Sequence, residues 1–203
     1  QNKDILGSLF SAGKRLLTGE SLFMTVFTNT SVAKKKVSFA SPYPGKIIPI
    51  DLNRFEGVFI CQKDAFLCAA KGVAISIEFS KKLGRGFFGG EGFIMEKIQG
   101  DGMAFLHASG TVIKKELQAG EILKVDTGCI VGFSHTVHYD IEFVGGIRNT
   151  IFGGEGVFFA NLTGPGTVAI QSLPFSRLAD RIIASAPSQG GKRKGEGSIL
   201  GGL

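Results

Sequence analysis

From Gly19 onward the chain is built on a period of two. "VHYDIEF" places Val137, Tyr139, Ile141 and Phe143 on one face and His138, Asp140 and Glu142 on the other. "VAISIEF" does the same with Val73, Ile75, Ile77 and Phe79 against Ala74, Ser76 and Glu78. Such alternation marks an antiparallel strand with one face in a core and the other in water. Further short strands are predicted at "SLFMTVF", "KIIPIDL", "VFICQ", "GFIMEKI", "MAFLHAS", "EILKVD", "CIVGFS", "GVFFANL" and "TVAIQSL", separated by Gly, Pro or Asn. The helical period occurs only at the ends. Residues 1–17 space Ile5, Leu6, Leu9, Phe10, Leu16 and Leu17 as an amphipathic helix broken by Gly7 and Gly13. "PFSRLADRIIASA" puts Leu178, Ile182 and Ile183 on one side. The expected organisation is a helix or linker over 1–18 and one all-β domain over 19–188. A helix at 175–186 ends that domain, and a Gly-rich basic tail over 189–203 is expected to be disordered.

The strands recur as blocks. "IEFSKKLGRGFFGGEG" (Ile77–Gly92) and "IEFVGGIRNTIFGGEG" (Ile141–Gly156) agree at eight of sixteen positions. After each comes a strand, a Gly-x-Gly turn (Gly100 and Gly102; Gly164 and Gly166) and another strand. "TGESLFMTVF" is similar to "GGEGFIMEKI", and "PGKIIPIDLNRFEG" to "AGEILKVDTG". Three related units are expected, opening at Glu20, Glu91 and Glu155 and covering about 20–90, 91–154 and 155–174. The third is incomplete, so strands N-terminal to Gln1 are expected to be missing from this chain. A motif that repeats with the fold is better explained as a corner than as a ligand site. Gly89, Gly90 and Gly92, and likewise Gly153, Gly154 and Gly156, supply backbone freedom. Glu91 and Glu155 would cap N–H groups at the bend.

Little catalytic chemistry follows. "GRGFFG" (Gly84–Gly89) matches the dinucleotide fingerprint, but a strand rather than a helix follows it. His135 and His138 would point to opposite faces of a strand. His138, Asp140 and Glu142 share a face and could accept a metal, yet the preceding unit has Ala74, Ser76 and Glu78 there. A solvated polar face is the preferred reading. No nucleophile elbow, metalloprotease helix or carboxylate pair is present. Expected are no enzyme activity, no cofactor, no metal and no small-molecule substrate.

Composition adjusts this picture at three points. Gly is 30 of 203 residues and Phe 18, with no Trp, which suits a turn-rich β fold with a phenylalanine core. The three cysteines, Cys61, Cys68 and Cys129, lack paired spacing, so reduced buried thiols in a cytosol-like compartment are expected. Net charge is +6. Lys34, Lys35 and Lys36, Lys81 and Lys82, and Lys114 and Lys115 are placed at strand ends or turns, where they would offer a rim to RNA or an anionic membrane surface.

"LLTGESLFMTVFTN", "GKIIPIDL", "FFGGEGFIMEKIQGDGMAFLHASGTV" and "GEILKVDTGCIVGFSHTVHYDIEFVGGI" together resemble the altered inheritance of mitochondria protein 24 family, over roughly residues 14 to 186. The resemblance implies double-stranded β-helix-like modules related to the trp RNA-binding attenuation protein, three per chain. It further implies homotrimers closing into rings. The attenuation protein's tryptophan and RNA sites do not map onto this sequence residue by residue. Bacterial members are largely uncharacterised, and a fungal branch is linked to the mitochondrial inner membrane. A non-enzymatic scaffold or assembly protein is therefore expected, in the bacterial cytoplasm or, for the fungal branch, at that membrane. The alternative is a binder of RNA or anionic membrane through the lysines.

Overall fold

The computed structural model describes residues 25–81, 93–144 and 157–186. The expected N-terminal helix, Gly89–Gly92, Gly153–Gly156 and the basic tail lie outside them. Among these residues twelve strands follow one another: β1 (Lys46–Asp51), β2 (Val58–Gln62), β3 (Phe66–Ala69), β4 (Ala74–Lys81), β5 (Phe93–Gln99), β6 (Met103–Ala108), β7 (Val112–Leu117), β8 (Ile122–Asp126), β9 (Ile130–Ser134), β10 (His138–Val144), β11 (Val157–Thr163) and β12 (Gly166–Gln171). A helix, α1 (Phe175–Ser185), closes the series. Among the described residues the fold is all-β apart from α1 and short 3-10 turns.

The strands form three antiparallel sheets, ordered β1-β6-β3, β10-β11-β8 and β4-β5-β2-β9-β12-β7. Their spacing is regular. β2, β3, β4 and β5 start at Val58, Phe66, Ala74 and Phe93, and β8, β9, β10 and β11 start at Ile122, Ile130, His138 and Val157, each 64 residues later. The pairing follows the same shift. Gln62 faces Met95 as Asp126 faces Phe159, and Phe66 faces Leu106 as Ile130 faces Ile170. In these terms the six-stranded sheet is two three-stranded sheets, β4-β5-β2 and β9-β12-β7, sewn together along β2 and β9. In that seam Phe59 faces Ser134, Ile60 faces Phe133 and Cys61 faces Gly132.

Alternation decides what is buried. Two apolar clusters form, one around Ile60, Phe93, Met95, Phe133 and Leu162, the other around Leu52, Phe59, Cys61, Ile98 and Leu106. Ile60 and Phe59 are neighbours on β2, so one strand faces both cores. Fully burying such side chains stabilises by about 1.5–3 kcal/mol each. On β10, Ile141 is buried while His138, Asp140 and Glu142 are exposed, as the period-two reading requires.

Two strands escape that reading. β3 is a four-residue apolar run, and β7, "VIKKEL", is exposed over four consecutive residues. Lys114 and Lys115 therefore sit within β7 and not at a strand end, where the sequence had placed them. The "SLFMTVF" strand is not present over Val26 and Phe27, the described residues of its apolar core; both are exposed and without regular structure.

α1 is tied down at its first turn. Phe175 stacks on Tyr43 with centroids 4.7 Å apart, and Arg177 pairs with Asp126 at the end of β8. Beyond these contacts Ile182 and Ile183 are 60% and 70% exposed. Arg177→Ala is accordingly expected to cost little, about 1 kcal/mol or less, because the arginine is half exposed. Its effect should appear as faster amide exchange across α1 with an unchanged global melt.

Candidate functional site

The described residues expose two kinds of surface with chemical content: unpaired sheet edges and lysine groups. The edges are the more distinctive. β2 and β9 each have a neighbour on both sides, and every residue of β9 is buried. Their counterparts one shift away, β8 and β3, each end a three-stranded sheet. All four residues of β3 are only half-buried, and β8 alternates between exposed and half-buried, with Ile122 at 64% exposure. Among the described residues the same strand type is thus sewn in one place and open in the other. Open edges present unpaired N–H and C=O groups that add strands readily. β8 carries apolar Ile122, Leu123 and Val125, and β3 is "FLCA" throughout.

The lysines fall into different environments. Lys34, Lys35 and Lys36 are exposed in a segment without regular structure and form no ion pair among the described residues. Lys114 holds Glu116 at 3.0 Å and Lys115 holds Glu121 at 2.8 Å. A hydrogen bond from Thr167, then the contact with Lys114, keeps the Glu116 carboxyl below its usual range. Glu121 is lowered first by Lys115 and then by the Gln118 N–H. The β7 lysines are therefore partly neutralised. Lys81 ends β4, and Lys82 lies outside the described residues.

The polar face read from "HTVHYDIE" is engaged locally. Glu142 accepts from Lys124 at 2.7 Å and from Asn161 at 3.3 Å, which in that order of cause hold its carboxyl below the usual titration range. Asp140 accepts from the Ile141 N–H at 2.9 Å. His135 stands in the turn before β10, 3.5 Å from Glu56. Among the described residues no group of three His, Cys, Asp or Glu is placed to hold a metal. Cys61 is buried, whereas Cys68 and Cys129 are half-buried with thiols raised chiefly by burial.

Sequence reasoning missed one polar contact. Ser41, in the segment leading into β1, lies 2.5 Å from Nε2 of the buried His107 on β6. Only the 64-residue shift signals it, since Gln171 occupies the corresponding place on β12.

Among the described residues no helix is long and apolar enough to cross a membrane. An uncharacterized protein of Streptococcus pyogenes serotype M6 is 30% identical over 186 residues, covering 90% of this chain and 72% of that protein. The X-ray structure of protein SPYM3_0169, also from Streptococcus pyogenes, is similar with a TM-score of 0.60 and 26% identity. That similarity covers 72% of this chain and 63% of the solved one, so the chain spans less than two thirds of it. The family described as mitochondrial biogenesis AIM24 matches residues 1–173. The chain belongs to the AIM24 family.

Proposed function

We propose that the protein is a non-enzymatic β scaffold whose open sheet edges join it to further copies. The observation that carries this reading is the pair of open strands, β3 and β8, whose counterparts β9 and β2 are sewn together within the chain. In this reading β8 accepts a β9-type strand from a neighbouring copy. A third unit per chain, as the family resemblance implies, would supply the β2-type strand for β3. Three double-stranded β-helix-like units per chain and three chains would then close a ring. The proposed setting is the bacterial cytoplasm, with the mitochondrial inner membrane for a fungal relative.

Native mass spectrometry at micromolar concentration should return a trimer, and a monomer overturns the assembly. Lys124→Pro and Val125→Pro test the edge. Successive N–H groups of a strand point to opposite sides, so one of the two prolines removes a donor from the open side only. That variant should keep the parent circular dichroism and lose the trimer. Parent mass in both variants excludes β8 as the joining strand.

Lys34–Lys36 support a second reading, in which an RNA or anionic membrane surface binds at exposed cations that no carboxylate occupies among the described residues. Affinity for such a polyanion should then fall steeply with salt, because each neutralised phosphate releases counterions. Replacing the three by Ala should abolish that salt slope. A binding constant indifferent to salt rules the reading out.

A further inference from the structure

We propose that His107 is an acid-sensitive clasp, holding the segment that leads into β1, and through it the start of α1, only while its ring is neutral. This goes beyond the scaffold reading and does not depend on it.

The geometry is specific. His107 is 2% exposed, and its Nε2 lies 2.5 Å from Ser41 Oγ, which lies 2.5 Å from the Tyr43 carbonyl oxygen. One arrangement satisfies this chain. The Nε2–H donates to Ser41 Oγ, and the serine hydroxyl donates to the Tyr43 carbonyl. His107 Nδ1 then carries a lone pair, and among the described residues it is buried with no hydrogen-bond partner. The Tyr43 ring packs edge-on against the imidazole at 4.2 Å and stacks on Phe175 of α1 at 4.7 Å. The segment also runs tight against the ring. A Cβ on Gly45 would stand 2.5 Å from Nε2.

The rest of the fold shows what the position is for. Gln171 stands 64 residues after His107, in the same rung of the equivalent sheet. Its Oε1 accepts from the Ser109 N–H at 2.9 Å, and its Nε2 donates to the Gly128 carbonyl at 3.2 Å. Ser109 lies three residues before β7, and Tyr43 lies three residues before β1. Both side chains therefore grip the linker entering the next strand. Glutamine does so with an amide that does not titrate, whereas histidine does so with a ring that does.

Acid must place its proton on Nδ1, creating a buried cation and a buried N–H donor with no acceptor. Burial opposes that charge and sets the direction, while a hydrogen bond to the Tyr43 backbone favours the charged ring and offsets part of it. The titratable and charged neighbours on the elements around the ring are Tyr43, Lys46 on β1, Lys63 and Asp64 in the turn after β2, and Cys68 on β3. α1, which stacks on Tyr43 through Phe175, carries Arg177, Asp180 and Arg181. Asp64 is the carboxylate among the nearer groups, and it lies 3.7 Å from Lys63. The sign follows from linkage. The clasped state has the lower pKa, so it is fully favoured above the ordinary histidine value of about 6.5 and weakens as pH falls below it. With protonation confined to the released state, opening rises about tenfold per pH unit in that range.

Hydrogen–deuterium exchange on the full chain, corrected for intrinsic pH dependence, tests the clasp. Between neutral and mildly acidic pH, amides of 41–47 and 175–185 should lose protection while β2 and β9 keep theirs. His107→Gln should remove this pH response, because the amide can grip the linker as Gln171 does. Equal protection at both pH values overturns the proposal, as does an unchanged response in His107→Gln. Should that variant fail to fold, the His107 ring resonances of the parent decide. The clasp requires their titration to coincide with loss of protection, and titration of a still-protected segment defeats it.

Discussion

Gly132→Ala is expected to destabilise the protein by about 3 kcal/mol or more in urea unfolding, one of the largest effects available from adding a single methyl group. The added Cβ would lie 2.5 Å from the Ile60 carbonyl oxygen, 2.7 Å from Phe59 Cε1 and 3.1 Å from the Cys61 Cα. Two of these are backbone atoms of β2, so no side chain can swing aside to relieve the contact. Relief requires β2 and β9 to part, and that seam is what unites the two halves of the six-stranded sheet. The backbone of Gly132 is otherwise ordinary strand, so the cost comes from close approach and not from dihedral strain. Unfolding within a few tenths of a kcal/mol of the parent would mean that the seam is looser than its register indicates.

Phe133→Ala should lose about 3–5 kcal/mol, the range for removing a fully buried phenyl ring. Phe133 is completely buried, and its ring lies 5.1 Å from that of Tyr139. A second readout separates local cavity formation from general loosening. The Tyr139 phenol is pushed up to about 12, first by burial and then by the Glu78 charge. Opening a cavity beside it admits solvent, so its titration should move down toward the ordinary tyrosine value. The chain has two tyrosines and no tryptophan, which keeps the absorbance titration simple. A stability loss without any change in Tyr139 would show that the cavity collapses dry.

Where side chains alternate between core and water, the sequence was a sufficient guide. β4 and β10 were legible from Ile75, Ile77, Tyr139 and Ile141 because one face of each is solvated. β7 was not, since Lys114, Lys115 and Glu116 are consecutive and all exposed on an edge strand that buries little. β3 was hidden for the opposite reason, being too short and uniformly apolar to show any period. The similarity of Pro44–Gly57 to Ala119–Gly128 aligns β1 with β8, whereas pairing matches β1 with β7, both lying beside β6-type strands. Local composition tracks the Gly-bounded turn there, while hydrogen bonding tracks the sheet. The candidate surfaces were less legible still. Lysine pairs are visible in a sequence, but whether Glu116 and Glu121 neutralise them depends on strand neighbours. An open edge is a property of what fails to pair, and no residue encodes it alone. The corners expected at Glu91 and Glu155 lie outside the described residues, between strands whose described ends pair at Lys81 with Phe93 and Val144 with Val157.

The seam between β2 and β9 also bears on how the chain is made. Phe59 and Ser134 face one another across 75 residues, whereas Ala74 and Gln99 of the β4–β5 hairpin are 25 apart. On a ribosome, β2 emerges and pairs with β5 long before β9 exists, leaving one side of "VFICQ" bare during elongation at about 5–20 residues per second. For several seconds, then, the nascent chain carries an apolar, strand-shaped edge of the kind that recruits holdase chaperones or aggregates with a neighbouring nascent copy.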